Sequence, residues 1–126
     1  MTFFFDNNLS PAVVRGLRGF GEDVRHLTEL FTPNTPDVEW LKRIGNENWI
    51  LVTRDERVRR NPAELNAFKR YNVRAFFLGG KNRTRCDMIQ QIVRNWPRMK
   101  EFANRLRPPF AFRIPPSGTK FSKLTL

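Results

Sequence analysis

Phe3-Phe4-Phe5-Asp6-Asn7-Asn8 and Ile50-Leu51-Val52-Thr53-Arg54-Asp55 decide how this chain folds. Each is a short, β-prone apolar run closed by an aspartate, the pattern of a buried strand. In an open α/β sheet, reactive groups gather just beyond the carboxyl ends of the strands. Two carboxylates delivered there can bind a divalent metal. In a strongly basic chain, that combination points to phosphodiester chemistry on a nucleic acid.

Outward from the first run, Ser10-Pro11 reads as an N-cap with proline at the first helical position. Val13, Val14, Leu17 and Phe20 follow at helical spacing, and Gly19 and Gly21 mark the end. Residues 23–27 alternate as a short strand. Thr35 is expected to cap a second helix that starts at Pro36 and turns Val38, Trp40, Leu41 and Ile44 inward. Beyond Asp55, residues 54–60 read as a polar, basic connection. Asn61-Pro62-Ala63-Glu64 reads as cap, proline and third-position Glu, with Leu65, Phe68 and Tyr71 buried. Residues 73–78 form the third apolar strand. Thr84-Arg85-Cys86-Asp87 is a second capping box, followed by Met88, Ile89, Ile92, Val93 and Trp96 at helical spacing. Pro97 should break or kink that helix. Residues 110–114 alternate as an edge strand. The order βαβαβαβα with a last strand implies an α/β fold: a mostly parallel sheet covered by helices on both faces. Residues 1–114 read as one domain and 115–126 as a tail ordered only in part.

The chain has 126 residues and a formal net charge of +11. Residues 1–53 hold five Lys/Arg against seven Asp/Glu; residues 54–126 hold eighteen against five. The basic part would draw a polyanion by Coulomb attraction and counterion release. The single cysteine, Cys86, excludes an internal disulfide framework and fits a reducing cytosol. No apolar run approaches the roughly 20 residues that cross a bilayer. Residues 1–5 lack the basic lead and long apolar stretch of a secretory signal.

Metal-assisted phosphodiester hydrolysis needs hard oxygen ligands, typically a few carboxylates with waters and substrate phosphate. Of the twelve acids, Glu22, Glu29, Glu47, Glu64, Asp87 and Glu101 read as surface or capping residues. Asp6, Asp37, Glu39 and Asp55 remain, with Asp23 and Glu56 as outsiders. Asp37 and Glu39 diverge by about 200° on a helix, so one of the two faces the metal. Asn8 either fixes a carboxylate or metal-bound water, or closes an Asx turn. Arg54 either holds a scissile phosphate or is an ordinary exposed arginine, and Arg57, Arg59 and Arg60 crowd the loop after Asp55, where they either grip a strand backbone or form a solvated basic loop. His26 reads as a packed histidine. Gly79-Gly80-Lys81 is too short for a phosphate-binding P-loop. Tyr71 and Trp96 are candidates for base stacking, although helical spacing favours core packing for Trp96.

These residues carry a resemblance. Asp6-Asn7-Asn8-Leu9-Ser10-Pro11 resembles the opening D-E-N-L-P/S signature of PIN-like domains. Gly21 to His26 resembles the family's second strand, Asp37-Val38-Glu39-Trp40-Leu41 its D-E-E-I-L helix start, and Ile50 to Asp55 its I-L-V-T-R-D strand. The resemblance implies a three-layer PIN-like fold and a metal-dependent ribonuclease using Mg²⁺ or Mn²⁺. It further implies RNA as substrate, a cytoplasmic setting, and the toxin role of a toxin–antitoxin pair with a small antitoxin partner. A homodimer is compatible with it. Carried over by position, Asp6 and Asp55 would bind metal, with Asp37 or Glu39 as the second-helix acid. Two departures stand out. Asn7 lies where the family often has Glu, and no acid follows the third apolar strand, where Gly79, Gly80, Lys81 and Asn82 sit. The alternative is a non-catalytic RNA- or DNA-binding module of the same fold.

Overall fold

The computed structural model describes residues 1–126. Its elements run β1 (Phe3–Phe5), α1 (Pro11–Gly19), β2 (Val24–His26), α2 (Leu27–Leu30), α3 (Asp37–Asn46) and β3 (Ile50–Thr53). They continue with α4 (Arg57–Arg60), α5 (Pro62–Arg70), β4 (Arg74–Leu78), α6 (Arg85–Arg105), β5 (Phe110–Ile114) and β6 (Ser122–Lys123). The strands form one sheet in the order β2-β1-β3-β4-β5-β6, parallel through β5, with β6 antiparallel at the far edge. This is the mostly parallel three-layer α/β arrangement that the strand and helix patterns imply.

Alternation along the strands sorts the core into two layers. Phe3, Phe5, Ile50, Val52 and Phe76 meet α1 and α6 on one face, through Val13, Leu17, Ile92, Trp96 and Met99. Phe4, Leu51, Ala75 and Phe77 meet α3 and α5 on the other, through Trp40, Leu41, Ile44 and Phe68. Phe3, Phe4 and Phe5 are all fully buried, and each contributes roughly 2–3 kcal/mol by leaving water. Gly45 of α3 lies directly against the Tyr71 carbonyl, where a Cβ would collide with backbone. That close approach clamps α3 to α5.

Five local expectations are corrected. The second helix starts at Asp37, its N-cap is Pro36, and Thr35 bonds the Thr32 hydroxyl at 3.0 Å instead of capping. The stretch after Asp55 contains a one-turn helix, α4, rather than a plain connection. On α5 the buried face is Glu64, Ala67 and Phe68, while Leu65 is only half-buried. Pro97 does not end α6, which runs 21 residues straight through it. Trp96 and Met99 anchor the helix in the core on either side of Pro97, whose ring sits on the exposed face. Finally, β5 is not the edge: β6 pairs with it, Phe121 packs on the α6 layer, and Leu124 and Leu126 pack on the other.

Candidate active site

The strand order reverses between β1 and β3. β1 leads out to β2, and the chain then returns across β1 to β3. α1 leaves β1 toward one face, while α4 and α5 leave β3 toward the other. The two exits diverge and open a crevice beyond the carboxyl ends, the usual ligand position in such sheets. Here it is a cleft of about 950 Å³ lined by Asp6, Asn8, Asp37, Arg54, Asp55, Arg57 and Arg60, among others.

Asp6 forms its floor. It is 4% exposed; its Oδ2 accepts the Thr53 hydroxyl at 2.5 Å and its Oδ1 accepts the Asn8 amide at 2.9 Å. Burial pushes its carboxyl up to about 6 against those two hydrogen bonds, and the charges of Asp55 and Asp37 push the same way. Asp55 sits at the end of the neighbouring strand and receives its own counter-ion. Arg57 grips it through Nε and Nη2, at 2.9 and 2.7 Å, and holds its carboxyl below the usual range. Asp37 opens α3 and lines the cleft, and the Trp40 indole donates to its Oδ1 at 2.9 Å. Glu39, two residues on, faces solvent outside the cleft.

A fourth acid stands close by without lining the cleft. Glu64, in the first turn of α5, is 9% exposed and lies beside Asp37 at the start of the adjoining helix. Burial pushes its carboxyl up to about 8, helped by the neighbouring Asp37 carboxyl and by the charge of Asp55. Glu64 had read as a capping residue. The capping box fails because the Asn61 amide is already taken by the Arg57 carbonyl at 2.8 Å, the closing bond of α4. The Glu64 side chain is free to turn inward. The usable signal was the helical phase of Glu64, Ala67 and Phe68.

A family model described as a PIN-like domain matches residues 1–80. The chain belongs to the PIN-like domain family. The match spans β1 to the end of β4 and includes all four acids. PIN-like domains are generally nucleases and typically use divalent metals, so the fold is of nuclease type. No curated protein and no solved structure matches the chain. No helix of this PIN-like domain is long and apolar enough to cross a membrane.

The other expected site residues divide. In this PIN-like domain Asn8 closes the Asx turn and also accepts the Arg54 amide at 3.2 Å, tying the β1 exit to the β3 exit. The Arg54 guanidinium reaches away to the Gly80 carbonyl at 2.6 Å. Arg57 and Arg60 line the cleft. Arg59 does not; it pairs with Glu56 at 3.0 Å and with the Thr125 carbonyl, which ties α4 to the tail. Glu56 is also held by Arg113, and these two arginines keep its carboxyl low against its burial. Asp23 bonds Thr2 at the far end of the sheet. His26 is fully buried; its Nε2 donates to the Leu9 carbonyl at 2.7 Å and its Nδ1 accepts the Thr28 amide. It pins the loop that follows Asp6. Trp96 is core, and Tyr71 lies under Lys42 and Arg70, remote from the cleft.

Asp6, Asp37 and Asp55 supply hard carboxylate oxygens of the kind a divalent cation takes, and Asp6 is raised toward protonation by burial and by the charges of the other two. The arrangement is not preformed, since no three acids, histidines or cysteines stand placed to hold a metal ion. Asp55 is paired with Arg57, which occupies part of its acceptor capacity.

Proposed function

We propose that this PIN-like domain is a metal-dependent ribonuclease. One observation carries the reading. Asp6, Asp37 and Asp55 line one cleft at the strand reversal with Glu64 beside Asp37, and Asp6 and Glu64 are pushed toward protonation by burial and by the charges of Asp37 and Asp55. Carboxyls held near one another at that cost favour a site where a cation takes the place of the protons.

Asp6, Asp55 and Asp37 would hold Mg²⁺ or Mn²⁺, with Glu64 closing the set. When bound, such an ion polarises the phosphoryl oxygen and makes a bound water more acidic. The chain's own residues do the rest. Thr53 and the Asn8 amide fix the Asp6 carboxylate in one orientation. Trp40 fixes Asp37. Arg57, once displaced from Asp55, becomes a free guanidinium at the cleft wall for a phosphate, beside Arg60. RNA cleavage should need added Mg²⁺ or Mn²⁺ and vanish in Asp6→Asn; full activity in excess chelator sinks the proposal.

The second reading is a non-catalytic RNA- or DNA-binding module. The Arg57 clamp on Asp55 favours it, because the protein neutralises that acid internally. Salt-sensitive RNA binding, unchanged by Asp6→Asn and Asp55→Asn and without cleavage in any divalent metal, selects it. A toxin role adds an acidic antitoxin-like partner on the basic surface. A stable complex surviving nuclease treatment tests that addition.

A further inference from the structure

The acids fill the centre of the sheet's carboxyl edge, and the cations beside them are mostly occupied. Arg57 is spent on Asp55, Arg59 on Glu56 and Arg54 on Gly80. An acidic floor repels phosphate, so the affinity of a polyanion must come from positive charge outside it. The next exit along the same edge supplies that charge. Parallel pairing sets Thr53 against Phe77, so Asp55 and Gly79 each lie two residues beyond that pair on adjacent strands. Gly79 opens the run Gly79-Gly80-Lys81-Asn82-Arg83-Thr84-Arg85.

This loop is built rather than loose. The Gly79 amide donates to the Ile114 carbonyl at 2.9 Å, and the Gly79 carbonyl accepts the fully buried Gln91 amide at 3.1 Å. Arg54 holds the Gly80 carbonyl, and Arg83 holds the Pro116 carbonyl at 3.1 Å. Gly80 has φ +109°, where a side chain is strained and a Cβ would press on Arg83 and Pro116. Thr84 and Asp87 close a capping box at the start of α6. Lys81 and Arg85 stand exposed on this frame, and neither takes part in any ion pair. The Arg54 bond keeps them at a set offset from Asp55.

We propose that Lys81 and Arg85 form a phosphate-binding shelf for a single nucleic-acid strand passing from the acidic cleft across the exit of β4. The shelf rests on the nuclease reading for where the strand comes from, but its test is read without cleavage. Binding of a fluorescent RNA of ~12 nucleotides is measured in EDTA across a salt series. Two lost phosphate contacts reduce the slope of log K against log salt by about 1.4, at about 0.7 per contact for a single strand. Lys81→Ala/Arg85→Ala should show that drop. Arg107→Ala, on the opposite edge of the sheet, should leave the slope unchanged. An unchanged slope in the double variant overturns the shelf. So does an equal drop per charge from Arg107→Ala, which means a diffuse field. Polyglutamate binding tighter than RNA through the same two residues also overturns it, in favour of an acidic protein partner. If the slope changes as expected while no divalent metal supports cleavage, the nuclease reading falls and the shelf stands.

Discussion

Asp6 and Asp55 end neighbouring parallel strands, yet their surroundings treat them in opposite ways. Asp6 is buried, has no cationic partner and is pushed up to about 6; Asp55 is held by Arg57 and is pulled down. Glu64 follows Asp6, and Glu56 follows Asp55. One pair of acids therefore has no arginine bonded to it and is pushed toward protonation, and the other is already matched by arginine. The contrast teaches that sharing a sheet edge does not give two carboxylates one role. Environment divides them, and a cation entering the cleft meets Asp6 unpaired while competing with Arg57 for Asp55.

The largest expected effects break the contrast outright. Asp6→Asn and Asp55→Asn should each lower Mn²⁺-supported RNA cleavage at least about 100-fold, above the 10–100-fold usual for residues that only support a metal ligand. Equal activity of either variant and wild type removes that residue from the chemistry. Glu64→Gln keeps the hydrogen-bonding shape but cannot ionise. It should cost about 10–100-fold in cleavage and reduce the thermal stabilisation given by Mn²⁺.

A stability measurement sharpens the contrast. The Asp6 carboxyl rises from 3.8 to about 6 on folding, so the folded state binds that proton first. The associated stability is fully present below about pH 4 and is lost as pH rises through about 6, amounting to about 3 kcal/mol. Glu64, pushed up to about 8, continues the loss in the same direction. Glu29, held at about 2 by Arg18, acts oppositely, but only as pH falls below about 4.5. Denaturant melts between pH 5 and 8 should thus show wild type weakening with rising pH, and Asp6→Asn weakening less. Parallel curves would mean that Asp6 is ionised without penalty. The smallest effect belongs to Arg57→Ala. Freeing Asp55 should tighten Mn²⁺ about threefold by calorimetry. A loss of RNA binding larger than that gain would show Arg57 acting mainly as a phosphate contact.

Much of this was legible in the residues. The apolar runs at 3–5 and 50–53, their closing aspartates and the capped helices between them imply the parallel sheet and the crevice, because strand burial and capping are local signals. Helix geometry left Asp37 and Glu39 open, and the structure sets Asp37 on the cleft under Trp40 while Glu39 faces solvent. Glu64 was missed because one turn of helix, α4, consumes the amide that a capping glutamate would have bonded. Arg59 was overvalued for a long-range reason, its bond to the tail at Thr125. Pro97 looked like a stop, but anchoring by Trp96 and Met99 outweighs the hydrogen bond lost at proline. Each failure involves a partner distant in sequence, or a short element whose existence depends on one.

The sheet ends in β2, three residues long, on one side and β6, two residues long, on the other. Exposed strand edges are templates on which foreign strands polymerise. Edges this brief offer few free amides and carbonyls in register, and Lys123 adds a charge to one of them. Copies of the chain are thereby kept from joining one another strand to strand.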